Sequence, residues 1–166
     1  MAEQEYPDIN GYAPSWADIR VVSSINGGDL LEMSDIADVS WKDGIESAEK
    51  RGTGGRKIQE TVGQATQEAS MTLYRSGLRK PERALAAVAP TRGNQKRIGL
   101  VRFDIQILHS PVGAETEPPY EVILSGCRLK GREGSHAEGP DADKVTVPLS
   151  LMQILTKENG EEISLL

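Results

Sequence analysis

Apolar and polar residues alternate with a period of two through much of the chain, and that period predicts strands. Residues 19–25 (IRVVSSI) form the first and end at Asn26-Gly27-Gly28. Asn-Gly between apolar segments favours a type I′ hairpin turn, whose central residues need positive φ, so residues 29–33 are the returning strand. In residues 36–42, Ala37, Val39 and Trp41 face one way and Asp38, Ser40 and Lys42 the other. In residues 67–73, Ala69, Met71 and Leu73 oppose Glu68, Ser70 and Thr72. The cleanest alternation is residues 99–108: Val101, Phe103, Ile105 and Ile107 against Arg102, Asp104 and Gln106. Residues 121–130 are a further strand with Ile123, Cys127 and Leu129 inward. Residues 144–155 close the set, with Val145, Val147, Leu149 and Leu151 inward. Pro148, which has no N–H to donate, suggests an edge position or a bulge there.

The remaining segments break the period. Residues 1–15, with Gly11, Pro7 and Pro14, read as an extended N-terminal arm. Residues 43–66 are rich in Gly, Glu, Lys, Arg and Gln and read as a long loop between the third and fourth strands. A loop of that length in a compact domain is functional or disordered. Residues 75–90 (RSGLRKPERALAAVAP) hold the one helix, short, with Pro81 in its first turn, Leu85 and Val88 on one side, and Pro90 as the stop. Residues 156–166 are an acidic tail with apolar Ile163, Leu165 and Leu166. Hairpin turns and neighbouring strands then give a mainly β domain of two packed antiparallel sheets, a sandwich or barrel, with one flanking helix.

At 166 residues this is one domain with a real core. The net charge of −6 excludes a binder that works by neutralising phosphates. An acidic wall that DNA slides past is compatible with it. One cysteine permits no intramolecular disulfide, and Cys127 reads as a small buried apolar residue. His109 and His136 read as surface residues. No apolar run approaches the roughly 20 residues that cross a bilayer. The first ten residues lack the basic start and apolar core of a signal peptide, so synthesis in the cytoplasm is expected.

The stretch RGTGGRK, residues 51–57, is the first candidate for chemistry. A phosphate-binding P-loop needs Gly-x-x-x-x-Gly-Lys and then Ser or Thr. Here Gly55 is followed by Arg56, Lys57 and Ile58, with no hydroxyl to hold magnesium. One Cys and two distant His make no metal cluster. Residues 141–144 (DADK) and 115–117 (ETE) lack calcium-loop spacing. Ser70 and Ser125 lack a nucleophile elbow, and nothing assembles a nucleophile, a base and an orienting group. No enzyme and no cofactor is expected. A small barrel enzyme or ligand carrier would require a closed apolar pocket with convergent polar groups.

The order of short motifs resembles the tail tube proteins of tailed bacteriophages. SINGGDL is similar to that family's early INGxxI hairpin, and ADVSWKDG loosely to its ISYxD segment. Residues 50–77 are similar to its VYGTGxxPxGRTRGxYxxxASxxMY region, with Gly52, Thr53, Gly54, Thr61, Gly63, Ala69, Ser70 and Tyr74 in step. VRFDIQI and LSGCRLKGREGSHAEGPDADKVTVPLSLMQI continue the order, so the resemblance covers residues 19–155. Lys57 stands where the family often has Pro, and Glu60 and Val62 where it often has Arg, which makes this loop less basic.

The resemblance implies hexameric rings stacked into a hollow tube, with neighbouring sheets joined around the lumen. It implies a loop that reaches the adjacent subunit or ring through Arg51, Gly52, Thr53, Gly54, Gly55, Arg56, Lys57, Thr61 and Gly63. It implies a location in the virion tail. Its partners would be copies of itself, the tape-measure protein and double-stranded DNA in the lumen, and sheath, tail terminator and baseplate proteins, with no membrane. The polar faces Glu68, Ser70, Thr72 and Arg102, Asp104, Gln106 are candidates for the lumen, or for a solvated outer surface or sheath contact. Secreted ring proteins of type VI secretion are fold relatives, so a contractile injection tube with a protein cargo is the alternative.

Overall fold

Leu73, Ile105, Cys127 and Val147 are fully buried, and they are inward positions of four alternating segments. Their meeting is seen in a computed structural model that describes residues 19–25, 30–33, 35–109, 120–136, 138–140 and 142–165. The predicted N-terminal arm and the Asn26–Gly28 turn lie outside these residues.

The strands are β1 (Ile19–Ile25), β2 (Leu30–Glu32), β3 (Ile36–Arg51) and β4 (Lys57–Tyr74), then helix α1 (Arg75–Val88). The short strands β5 (Thr91–Arg92) and β6 (Gln95–Lys96) and a 3-10 turn (Ile98–Leu100) follow. The rest are β7 (Phe103–His109), β8 (Tyr120–Leu129), β9 (Glu133–Gly134), β10 (Lys144–Ser150), β11 (Gln153–Glu158) and β12 (Glu161–Ser164). All strand pairings are antiparallel. The order is β2-β1-β7-β8-β10-β4-β3, with β11 also on β8, β12 on β11, and β9 on β10.

Strand β8 is where the sheet divides. Its first half pairs with β11, and its end with β10 through only two residue pairs, Leu149↔Leu129 and Ser150↔Arg128. One apolar cluster draws on both sides of that seam: Val21, Ile105, Ile107, Val122 and Leu124 from one, Met71, Leu73, Val145, Val147 and Leu149 from the other. The fold is thus mainly β with sandwich-like packing and, among the described residues, a single α-helix, as the alternation implied.

A bulge corrects the inward set of β8. Val122 and Leu124 are buried, and Ile123 is not. Phe103 pairs with Cys127 but Ile105 with Leu124, so β8 carries one extra residue there. Gly126 adopts φ +65 at that point. The extra residue shifts the parity, so Cys127 faces inward three positions after Leu124.

Other boundaries shift too. Residues 98–100 form a turn, and β7 begins at Phe103, although Val101 is buried as expected. The expected last strand breaks at Leu151 and Met152 into β10 and β11. The expected acidic tail is a hairpin: Asn159 (φ 51) and Gly160 (φ 82) form its turn and β12 returns along β11. Pro148 is not on an edge strand. Its carbonyl accepts the Lys130 N–H at 3.0 Å, so its donorless nitrogen faces the same side, in the gap between the β9 and β8 pairings.

Helix α1 begins earlier than Pro81 suggested. Tyr74 is its extended N-cap, and Pro81 stands inside the helix, where it cannot bond the Gly77 carbonyl. Gly77 and Leu85 are buried and Leu78 joins the core, whereas Val88 is half exposed. Ala89 is extended at the helix end, as the residue before a proline prefers.

Candidate functional site

Residues 43–66 are not a loop. Strands β3 and β4 stay paired from Asp43↔Gln67 out to Arg51↔Lys57. The segment is a two-stranded ribbon that reaches about 25 Å beyond Gly44, at roughly 3.3 Å per residue. Its physical peculiarity is that both faces are exposed from Glu46 to Arg51 and from Lys57 to Gln64. Ile58 is 67% and Val62 69% exposed. A two-stranded ribbon without a covered face is marginal in water.

The glycines of the arm have distinct tasks. Gly54 (φ 88) and Gly55 (φ 76) supply the turn, closed by Gly52 N–H to the Arg56 carbonyl and Gly55 N–H to the Gly52 carbonyl, with Thr53 at the apex. Gly63 lets the strands approach where the register shifts, because a Cβ there would stand 2.9 Å from the Glu46 carbonyl oxygen. Thr61 donates its hydroxyl to the Ala48 carbonyl at 3.2 Å.

The cations of the tip are mostly occupied within the arm. Arg51 meets Glu49 at 3.1 Å, and Lys57 meets Glu49 at 3.1 Å and Glu60 at 2.7 Å. Glu60, then Glu49, holds the Lys57 ammonium above its ordinary range, and Lys57 holds the Glu60 carboxyl below its own. Arg56 alone of the three makes no ion pair among the described residues.

The first polar face is continuous across three strands. Glu68 lies level with Lys42 and Ser150, Ser70 with Ser40, and Thr72 with Asp38 and Thr146. The Ser40 and Ser70 hydroxyls are 2.9 Å apart, and those of Thr72 and Thr146 3.4 Å. Alternation already marks Ser40 as outward on its own strand, but its level with Ser70, and the place of Thr146 on the same face, come from cross-strand register, which is not local information. The second face is not equivalent. Arg102 precedes β7 and donates to the Gly126 carbonyl at 3.3 Å, while Asp104 accepts the Gly126 N–H at 2.8 Å. These two side chains hold the bulge, and Gln106 remains half-buried on β7, three places from β4 in the strand order.

Cys127 is fully buried and donates to the Leu124 carbonyl at 3.1 Å. Burial first, and the Asp104 charge second, push its thiol up to about 12 from 9.0. Folded protein is therefore expected to resist an aromatic disulfide reagent at pH 8 and to react at once when unfolded. The unfolded thiol ionises first, so this group costs stability progressively as pH rises from about 9 to about 12. Rapid labelling of folded protein would show that the bulge opens freely. His136 sits against Asp143 at 2.6 Å and against Arg75. Among the described residues no group of side chains is suited to hold a metal ion. The cavity between α1 and the core, lined by Ser23, Met33, Leu78 and Phe103 among others, is about 20 Å³, space for about one water.

No family model matches the chain, and no curated protein matches it by sequence. Solved structures do. The architecture is that of the tube proteins of phage tails and of tail-like injection systems. Among them the chain is similar to the SPP1 tail tube, with 14% identity and a TM-score of 0.61 over 89% of this chain and 80% of that one. It is also similar to a chain from the sheath/tube terminator of an extracellular contractile injection system, PVC, with 15% identity, TM-score 0.60, and coverage of 90% and 99%. A chain from the tube-terminating cap of the anti-feeding prophage gives 14%, 0.59, and coverage of 95% and 99%. At such identities the likeness is one of fold.

Proposed function

We propose that this chain is a non-enzymatic structural protomer that works by assembling with copies of itself into a tail tube. The observation that carries the reading is the arm, a long ribbon solvated on both faces, on a fold shared with tube proteins. A neighbouring copy would cover it. Among the described residues the main strand order also ends in edges, β2 and β3, which can pair with the sheets of neighbours. In this reading the copies form hexameric rings that stack around a lumen, and the tube conducts DNA during ejection. The continuous face of Glu68, Ser70 and Thr72 lines that lumen. Residues 51–57 with Thr61 and Gly63 make the contact between subunits or rings. The tape-measure protein, sheath, terminator and baseplate are its partners, and the virion tail its place.

A contractile injection tube with protein cargo is the second reading, favoured by the likeness to the PVC and anti-feeding prophage chains. Electron microscopy of the concentrated pure protein tests both. Rings or tubes are expected. A species that stays monomeric in every condition sinks the assembly reading. Capsid and terminase genes beside this one would separate the phage tail from the injection system.

A further inference from the structure

The chain is acidic as a whole, yet its charge is sorted. Between Arg75 and Arg102 stand eight Lys and Arg residues and one carboxylate, Glu82. Glu82 is itself paired with Arg132 at 2.5 Å. The 3-10 turn within this stretch lies against the end of β8, and together they form an open cleft of about 430 Å³. Arg97, Arg128 and Lys130 line it with Gly99, Leu100 and Ser150, and no carboxylate does. None of those three cations makes an ion pair among the described residues. Lys130 also borders a neighbouring cleft that holds Lys42 and Glu68. Leu100, 58% exposed, adds an apolar patch.

The complementary chemistry sits at the other end of the same strand. Lys157 pairs with Glu121 near the start of β8, so the β11–β12 turn lies beyond it. Glu158, Glu161 and Glu162 surround that turn and are exposed, followed by exposed Ile163 and Leu165. Arg128 is seven positions further along β8, about 23 Å at a strand's rise. A hairpin bonded along β8 cannot reach the cleft of its own chain, but the hairpin of another copy can. Three cations with no ion-pair partner among the described residues repel each other in one cleft, and three carboxylates relieve that repulsion.

We propose that the Arg97–Arg128–Lys130 cleft receives the acidic β11–β12 hairpin of a second copy, with Leu100 meeting Ile163 or Leu165. This rests on the self-assembly reading above and names one contact within it. Opposite charges at opposite ends make the contact heterologous, the kind that propagates head to tail unless the rotation closes it.

The test is a charge swap read by sedimentation velocity and electron microscopy, with circular dichroism as the folding control. Arg97→Glu with Lys130→Glu, and separately Glu158→Lys with Glu161→Lys and Glu162→Lys, are each expected to weaken association at least about tenfold. Carrying all five changes in one chain is expected to restore it, and wild-type association to fall between 0.1 and 1 M salt. If wild type assembles and both single-sided swaps assemble equally well, this contact is overturned and the tube reading stands. The contact is overturned equally if the five-fold swap is no better than either half. If wild type remains monomeric, both readings fall. Association restored only by an added acidic peptide of foreign sequence would mean a partner other than a second copy, and would overturn the proposal.

Discussion

Removing residues 45–65 and joining Gly44 to Thr66 through an Asn-Gly turn is expected to leave a folded protomer that forms no tubes. Gly44 and Thr66 are directly opposed, so a two-residue turn closes there without a change of register. The excised ribbon is exposed on both faces over almost its whole length, so little apolar burial is lost. The melting temperature of the protomer should move by less than about 5 °C. Tubes or rings of normal yield in electron micrographs would show that the arm is not an assembly element. Excising only residues 52–64 is a poorer experiment. It strips β4 from the outer half of β3 and leaves an unpaired edge that aggregates for its own reasons.

Gly126→Val is expected to destabilise the protomer by about 2–4 kcal/mol, from a left-handed backbone position that a branched residue rejects together with local overpacking. Gly126 holds φ +65, and even a Cβ there would lie 2.7 Å from Met152 Cγ and 2.9 Å from its Cβ. The Asp104 carboxylate and the Arg102 guanidinium would lose their bulge partners as β8 shifts. Urea unfolding is the measurement, and a midpoint equal to that of wild type would mean the bulge is not held by its glycine. Replacing Met152 by Ala should recover only the packing part of the loss.

Alternation reveals the inward positions of β4, β7 and β10, because a strand half-covered by a core records its burial in its own sequence. It fails on the arm for the same reason. A ribbon solvated on both faces has no inward side, so residues 43–66 carry no period, and their strand character lives in pairing with residues far away. The β-branched Ile58, Thr61 and Val62 and the turn glycines are the available signal. The C-terminal hairpin is more legible: Asn159-Gly160 is the same dipeptide that marks Asn26-Gly27, but acidic flanks hide it. The parity of β8 is not legible at all, since one extra residue in the ladder is a property of two strands together. The first candidate polar face is a unit across β3, β4 and β10. In the second, Arg102 and Asp104 clamp the bulge by satisfying backbone groups of β8. Sequence alone leaves the tip cations free for a neighbour, yet Arg51 and Lys57 are engaged at home.

The two halves of the sheet meet through Leu149↔Leu129, Ser150↔Arg128 and the bond from the Lys130 N–H to the Pro148 carbonyl, and Pro148 has no N–H to return one. This short ladder makes β8–β10 the crease of the protomer. Bending there breaks fewer hydrogen bonds than bending across β7–β8 or β4–β10, whose ladders are several times longer. In the proposed assembly, a subunit built this way would set the angle between its halves to the circumference of the ring. Curvature then becomes a property of one crease rather than of every strand.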